Sequence, residues 1–114
     1  MTSQNPHRPK VAIETVRPFR ELFDALEQTG FDTEHRAPVE QRSADAVDAL
    51  AIYLLEKLAD SEIELAIAAV RAWVALWFRP FLRRRDPPPT GISIPIYGPH
   101  GEVLSRVEVE ADED

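Results

Sequence analysis

Three histidines, His7, His35 and His100, are the first residues to question, because imidazole binds metals and moves protons near neutral pH. They lie in three different segments and show no H-x-x-x-H spacing. Zinc needs about four convergent ligands, so no metal centre is predicted. The chain has no cysteine, which removes thiolate nucleophiles, thiolate metal sites and disulfides together. Glu21, Asp24 and Glu27 share one face of a predicted helix. Paired carboxylates do acid–base work when burial separates their pKa values, but on an outward helix face they read as solubilising charge. Ser43, Ser61, Ser93 and Ser105 sit in no G-x-S-x-G setting, and no phosphate-binding G-x-x-x-x-G-K-[ST] loop occurs. The chain therefore reads as a non-enzyme with no catalytic, cofactor-binding or metal residues. A small hydrolase or toxin is an alternative that no motif supports.

The segment AWVALWFRPFLRRR carries the strongest signal. Trp73, Trp77 and Phe81 recur at helical spacing and lead into Arg83, Arg84 and Arg85. Three readings stand. The aromatics are core and the arginines meet the negative end of the helix dipole. Or the six form a protein interface, since Trp and Arg are enriched in binding hot spots. Or the helix lies at a membrane surface with its arginines at lipid headgroups. A full span needs about 20 apolar residues, and the apolar run from Leu65 to Phe78 is shorter and contains Arg71.

At 114 residues the chain fits one domain with one modest core, and its 44% hydrophobic and 29% charged residues are ordinary for a globular protein. The net charge of −7 argues against nucleic acid as a partner. Residues 71 to 85 nevertheless hold five arginines and no acid, between two acidic regions. The polar, proline-bearing MTSQNPHRPK lacks the apolar core of a secretory leader, which predicts a cytoplasmic protein. Residues 1–9 read as a disordered arm, 10–110 as a single α+β domain, and 111–114 as an acidic tail.

KVAIETV alternates as a strand does. Pro18 then suits a helix start, and PFRELFDALEQTG carries an apolar stripe ended by Gly30, with Phe31 placed to fold back on Leu26. Residues 31–36 form a strand or a loop. SADAVDALAIYLLEKLAD, residues 43–60, predicts a second helix capped by Ser43. A capping box at Ser61 and Glu64 predicts a separate third helix over 61–82. Its stripe is Ile63, Ile67, Val70, Trp73, Val74, Trp77 and Phe81, with a second along Leu65, Ala69, Ala72 and Leu76. After the proline run at 86–89, GISIPIYGPHGEVLSRVEVE reads as a hairpin. It sets Ile92, Ile94 and Ile96 against Val103, Val107 and Val109. Pro95 places an edge or a bulge in the first of these strands. The expected fold is α+β: a small antiparallel or mixed sheet, made of the N-terminal strand and the C-terminal hairpin, packed on three helices.

The early strand and helix, the small-residue-rich helices ending in AWVALWFRPFLRRR, and the closing hairpin with its Gly-Pro-x-Gly turn resemble the effector-associated constant component family, type one, of bacterial conflict systems. The resemblance implies a non-enzymatic adaptor in defence against invaders. Its expected partners are proteins of the same system: an effector, a peptidase or a signalling NTPase. It carries no catalytic residue over. Taken with the residues, it leads to a protein-docking component that uses Trp73, Trp77, Phe81, Arg83, Arg84 and Arg85. A homodimer through the third helix is possible, and a membrane-associated component anchored by helix 61–82 is the alternative.

Overall fold

The computed structural model describes residues 8–37, 50–84 and 92–110. These residues build an α+β fold in which a five-stranded mixed sheet carries two helices. In chain order the elements are β1 (Lys10–Thr15), α1 (Arg20–Gln28), β2 (Asp32–Arg36), β3 (Leu50–Leu54), α2 (Asp60–Arg83), β4 (Ile92–Tyr97) and β5 (Val103–Val109). Across the sheet the order is β2-β1-β3-β4-β5. β1 runs parallel to β2 and β3 parallel to β4, while β1/β3 and β4/β5 are antiparallel. Parallel neighbours need a long crossover, and α1 and α2 supply one each. Two strand–helix–strand units therefore sit back to back across β1/β3.

The described part of the second helix expected over 43–60 is not helical before Asp60. Residues 50–54 of that segment are β3, residues 43–49 lie outside the described residues, and the described residues hold two helices rather than three. Leu50, Ala51 and Leu54 fit a helical stripe, but Leu50, Ile52 and Leu54 also fit the alternation of a strand. A short apolar run does not separate the two periods. The central position decides. β3 lies between β1 and β4, with Ile52 opposite Ile13, and both are fully buried. The hairpin thus shares a sheet with β1, as expected, but β3 separates them.

α1 ends as its sequence predicts. Gly30 has φ +113°, its N–H donates to Glu27 O (3.1 Å), and the Phe31 N–H reaches back to Leu26 O (3.1 Å). Phe31 and Leu26 are both core residues. α1 has no basic residue in its last turn. Arg8 fills that role from outside the helix, donating to Glu27 O (3.0 Å), Phe31 O (3.1 Å) and Asp32 Oδ1 (2.9 Å). Pro9 O accepts the Asp32 N–H (2.9 Å). Arg8 and Pro9, placed in the arm by the sequence reading, thus belong to the fold, while residues 1–7 and 111–114 lie outside the described residues. The segment 31–36 is strand β2.

α2 starts at Asp60. Its first turn is held by Glu62 Oε1, which accepts the Ala59 N–H (3.1 Å), and not by a box at Ser61 and Glu64. In the hairpin, Ile94, Ile96, Val107 and Val109 are buried, but Val103 is 46% exposed. A register shift between Ile96 and Tyr97 sets Val103 opposite Tyr97 and sends it to the far face. The ladder from β4 to β3 pairs only Ile96 and Tyr97, just past Pro95 and its missing donor.

Both helices pack on one sheet face, where Val11, Ile13, Leu50, Ile52, Leu54, Ile94 and Ile96 meet Leu22, Leu26, Val70 and Trp73 in one core. On the other face Tyr53 stacks on Tyr97 at 4.9 Å, donates to Glu14 Oε1 (3.2 Å) and lies under the Arg36 guanidinium at 5.4 Å. Burial, then the Glu14 charge and its hydrogen bond, raise the Tyr53 pKa above the ordinary 10.0. Above that pH the unfolded chain gives up the Tyr53 proton while the fold retains it. Stability from this group is thus full below 10.0 and is lost as pH rises through the raised value. Urea midpoints should fall in that range, and Tyr53→Phe should flatten the fall. An equally steep fall in the variant rejects the assignment.

Candidate protein-docking surface

The expected stripe along α2 breaks after Val74. From Asp60 to Trp73 the helix is regular and buries Ala66, Ala69, Val70 and Trp73. Val74–Phe78 is a π-helical turn, in which the Arg79 N–H donates to Val74 O, five residues back. The regular helix then resumes over Arg79–Arg83. One extra residue in a turn rotates everything downstream by about 100°. A straight helix would put Trp77 and Phe81 beneath the stripe of Trp73 and Val74. The wide turn puts Phe78 and Leu82 there, both fully buried, and leaves Trp77 52% exposed.

Pro80 supplies the local reason. It has no N–H for a carbonyl one turn back, and in a regular helix its ring presses on the carbonyl of Leu76. The wide turn stands where that clash would fall. Phe78 and Leu82 were absent from the expected stripe, and Pro80 was the signal that could have found them.

The six expected interface residues therefore separate. Trp73 is 2% exposed and stacks on Phe78 at 4.7 Å. Phe19, at the start of α1, meets Trp73, Phe78 and Phe81 edge-on at 5.3, 5.4 and 5.5 Å. Phe81 is partly buried, with Arg17 over its ring at 5.2 Å. Trp73 and Phe81 thus join α1 to the end of α2 as core, and they correct the interface assignment for those two residues. Trp77 lies on the surface. Arg83 and Arg84 are exposed at the C-terminal end of α2, and Arg85 lies outside the described residues.

Trp77 borders a groove of about 570 Å³ between α1 and α2. Glu21 and Asp24 line it from α1; Ala72, Trp73, Leu76 and Trp77 line it from α2. Leu76 is 71% exposed, and Leu65, three turns earlier, is 49% exposed. The outer face of α2 also exposes Ala68, Ala72 and Ala75. The result is a continuous apolar strip beside two carboxylates. The Trp73 indole N–H is buried and has no acceptor among the described residues. A buried donor left unmatched costs about 1–3 kcal/mol.

The remaining candidates are structural. The His35 Nε2–H donates to Thr15 O (2.8 Å) and its ring meets Phe23 at 6.2 Å, which ties β2 to the end of β1. His100 sits in the hairpin turn, where its backbone N–H donates to Glu102 Oε1 (2.9 Å). His7 lies outside the described residues. Among the described residues no three His, Cys, Asp or Glu side chains converge. No known protein family, no curated protein and no solved structure matches this chain.

Proposed function

We propose that this protein is a non-enzymatic interaction component, an adaptor in a bacterial conflict system, that acts in the cytoplasm by docking another protein. The observation that carries this reading is the apolar strip of Leu65, Leu76 and Trp77 along a helix whose opposite face already fills the core. Large apolar side chains grouped on the surface mark a contact site more often than isolated ones do. An exposed Trp is a common binding anchor in protein interfaces. The resemblance to the effector-associated components supports the choice of partner: an effector, a peptidase or an NTPase encoded beside this chain. Glu21 and Asp24 favour a partner segment that brings a cation next to its apolar anchor. The same strip can also seat a second copy of this chain.

The helix Asp60–Arg83 has 24 residues and passes length and composition criteria for a membrane span. One face of it is committed to the sheet, so a lipid role would use the outer strip alone. Three measurements test the docking reading: co-expression with the products of neighbouring genes, light scattering of the isolated chain, and flotation with anionic vesicles. The wild type is expected to form a stoichiometric complex or a dimer. Leu76→Asp/Trp77→Asp should abolish it with an unchanged far-UV spectrum. A monomer that binds no neighbour product, or one captured only by vesicles, sinks the proposal.

A further inference from the structure

We infer that β5 is an interaction edge that pairs antiparallel with β5 of a second copy of this chain, in the register that sets Val107 opposite its own counterpart. β5 is the last strand of the sheet, with β4 on one side and no other described strand on the other. Such an edge presents a row of backbone N–H and C=O groups that another strand can take up. The two edges of the sheet differ. β2 is DTEHR, polar throughout and with no buried residue. Its Glu34 lies between Lys10 (3.9 Å) and Arg36 (3.6 Å), and its Asp32 is held by Arg8 (2.9 Å). Charge of this kind blunts an edge. β5 is longer, buries Val107 and Val109, and carries neither proline nor lysine.

Charge selects the register. Val107 is opposite Ile94, and both are buried on the helix side of the sheet. Arg106 and Glu108 therefore stand on the helix-free face. Arg106 is opposite Pro95, which offers it no charge, and it has no ion pair among the described residues. Glu108 is opposite Ser93 and accepts a hydrogen bond from its hydroxyl (3.2 Å). Residues directly opposite in an antiparallel pair share a face, so the two-fold axis must lie between two copies of one residue. A slip by one residue would set valine against charge. An axis at Arg106 or at Glu108 sets that charge against its own copy, and like charges directly opposite destabilise a pair. An axis at Val107 sets Arg106 of each copy opposite Glu108 of the other. The usable length agrees. The β4/β5 register shifts between Ile96 and Tyr97, so the regular ladder runs from Ser105 to the end of the strand at Val109, and Val107 is its centre.

The pairing closes on itself. Each copy offers one such edge and the two-fold contact uses both, so the product is a dimer and not a filament. The helices of both copies stay on the same side of the joined sheet. The apolar strip of Leu65, Leu76 and Trp77 lies on α2 and takes no part in the strand pairing. One consequence rests on the docking reading: the dimer presents two copies of that strip on one side, which strengthens the hold on a partner that also has two contact points.

The test uses the full chain and reads its mass by sedimentation over a range of concentrations. The wild type is expected to form a dimer, with amide exchange slowed at residues 105–109. Arg106→Glu alone and Glu108→Arg alone each set like charges opposite one another, and each should weaken the dimer at least about tenfold. Mixing the two variants restores opposite charges across the pair, so the mixture should dimerise where neither variant does by itself. Both side chains are exposed, so the far-UV spectra should not change. Leu76→Asp/Trp77→Asp should leave the β5 dimer in place, which separates failure of the pairing from failure of the docking reading. A monomer at every concentration, single variants that dimerise as the wild type does, a mixture that stays monomeric, or open polymers overturn the inference. A dimer that the charge variants spare and Leu76→Asp/Trp77→Asp removes belongs to α2 and overturns it too. So does a monomer whose β5 amides gain protection only when the product of a neighbouring gene binds.

Discussion

Phe78→Ala will lower the stability of this protein by about 3–5 kcal/mol, the range for removing a buried aromatic ring. The adjacent Trp77→Ala will lower it by only about 0.8–1.5 kcal/mol, half the value of a fully buried large apolar side chain. Hydrophobicity alone predicts the reverse, because tryptophan is the larger side chain and lies on the regular helical stripe. The difference rests on placement. Phe78 is fully buried, stacks on Trp73 at 4.7 Å and on Phe81 at 6.1 Å, and meets Phe19 edge-on at 5.4 Å. Each such pair adds about 0.5–1.5 kcal/mol to simple burial. Trp77 is half in solvent. For a domain whose total stability is about 5–15 kcal/mol, Phe78→Ala removes a large share and Trp77→Ala does not. Urea denaturation of the two variants measures this directly, and equal losses would falsify the shifted helical phase.

A second large effect follows from the same turn. Deleting Ala68 and deleting Ala75 each remove one exposed alanine from α2. In the regular part, loss of Ala68 rotates every later residue by about 100° and turns Val70, Trp73, Val74 and Phe78 away from the sheet. That variant should not fold. Loss of Ala75 instead removes the extra residue of the π-turn and leaves Phe78 and Leu82 on the core side. Its remaining penalty is Pro80, which then sits inside a regular helix at about 3 kcal/mol. The Ala75 deletion is therefore expected to fold with a lowered midpoint, and adding Pro80→Ala should recover most of the loss. Circular dichroism and thermal melts of the three variants decide it. If both deletions unfold alike, Pro80 is not the cause of the wide turn.

These two results bear on the proposed docking role. The rotation that buries Phe78 is what releases Trp77 to the groove beside Glu21 and Asp24. A regular helix would bury the tryptophan and leave this face without its aromatic anchor. The exposed strip is thus tied to the core by one turn of backbone. Substitutions at Leu76 or Trp77 can probe binding with little effect on folding, whereas substitutions at Trp73 or Phe81 cannot separate the two.

Several elements were legible from residue types alone. The alternation of KVAIETV, the stripe of α1 with its Gly30 ending, and the glycine-bearing reversal of the last hairpin are local signals. Each depends on contacts within a few residues, and each appears in the fold. The α+β class followed from them. The strand at Leu50–Leu54 did not, because an apolar run of that length satisfies both helical and extended periods. Only the vacant position between β1 and β4 selects the extended one. The exposure of Trp77 was hidden for a related reason. Periodicity assumes a constant turn, and Pro80 changes the turn. Local chemistry therefore determined which segments are helix, strand and reversal wherever neighbouring residues settle the matter. Tertiary packing decided β3 and the face that Trp77 presents, because each depends on which distant segments fill the same space.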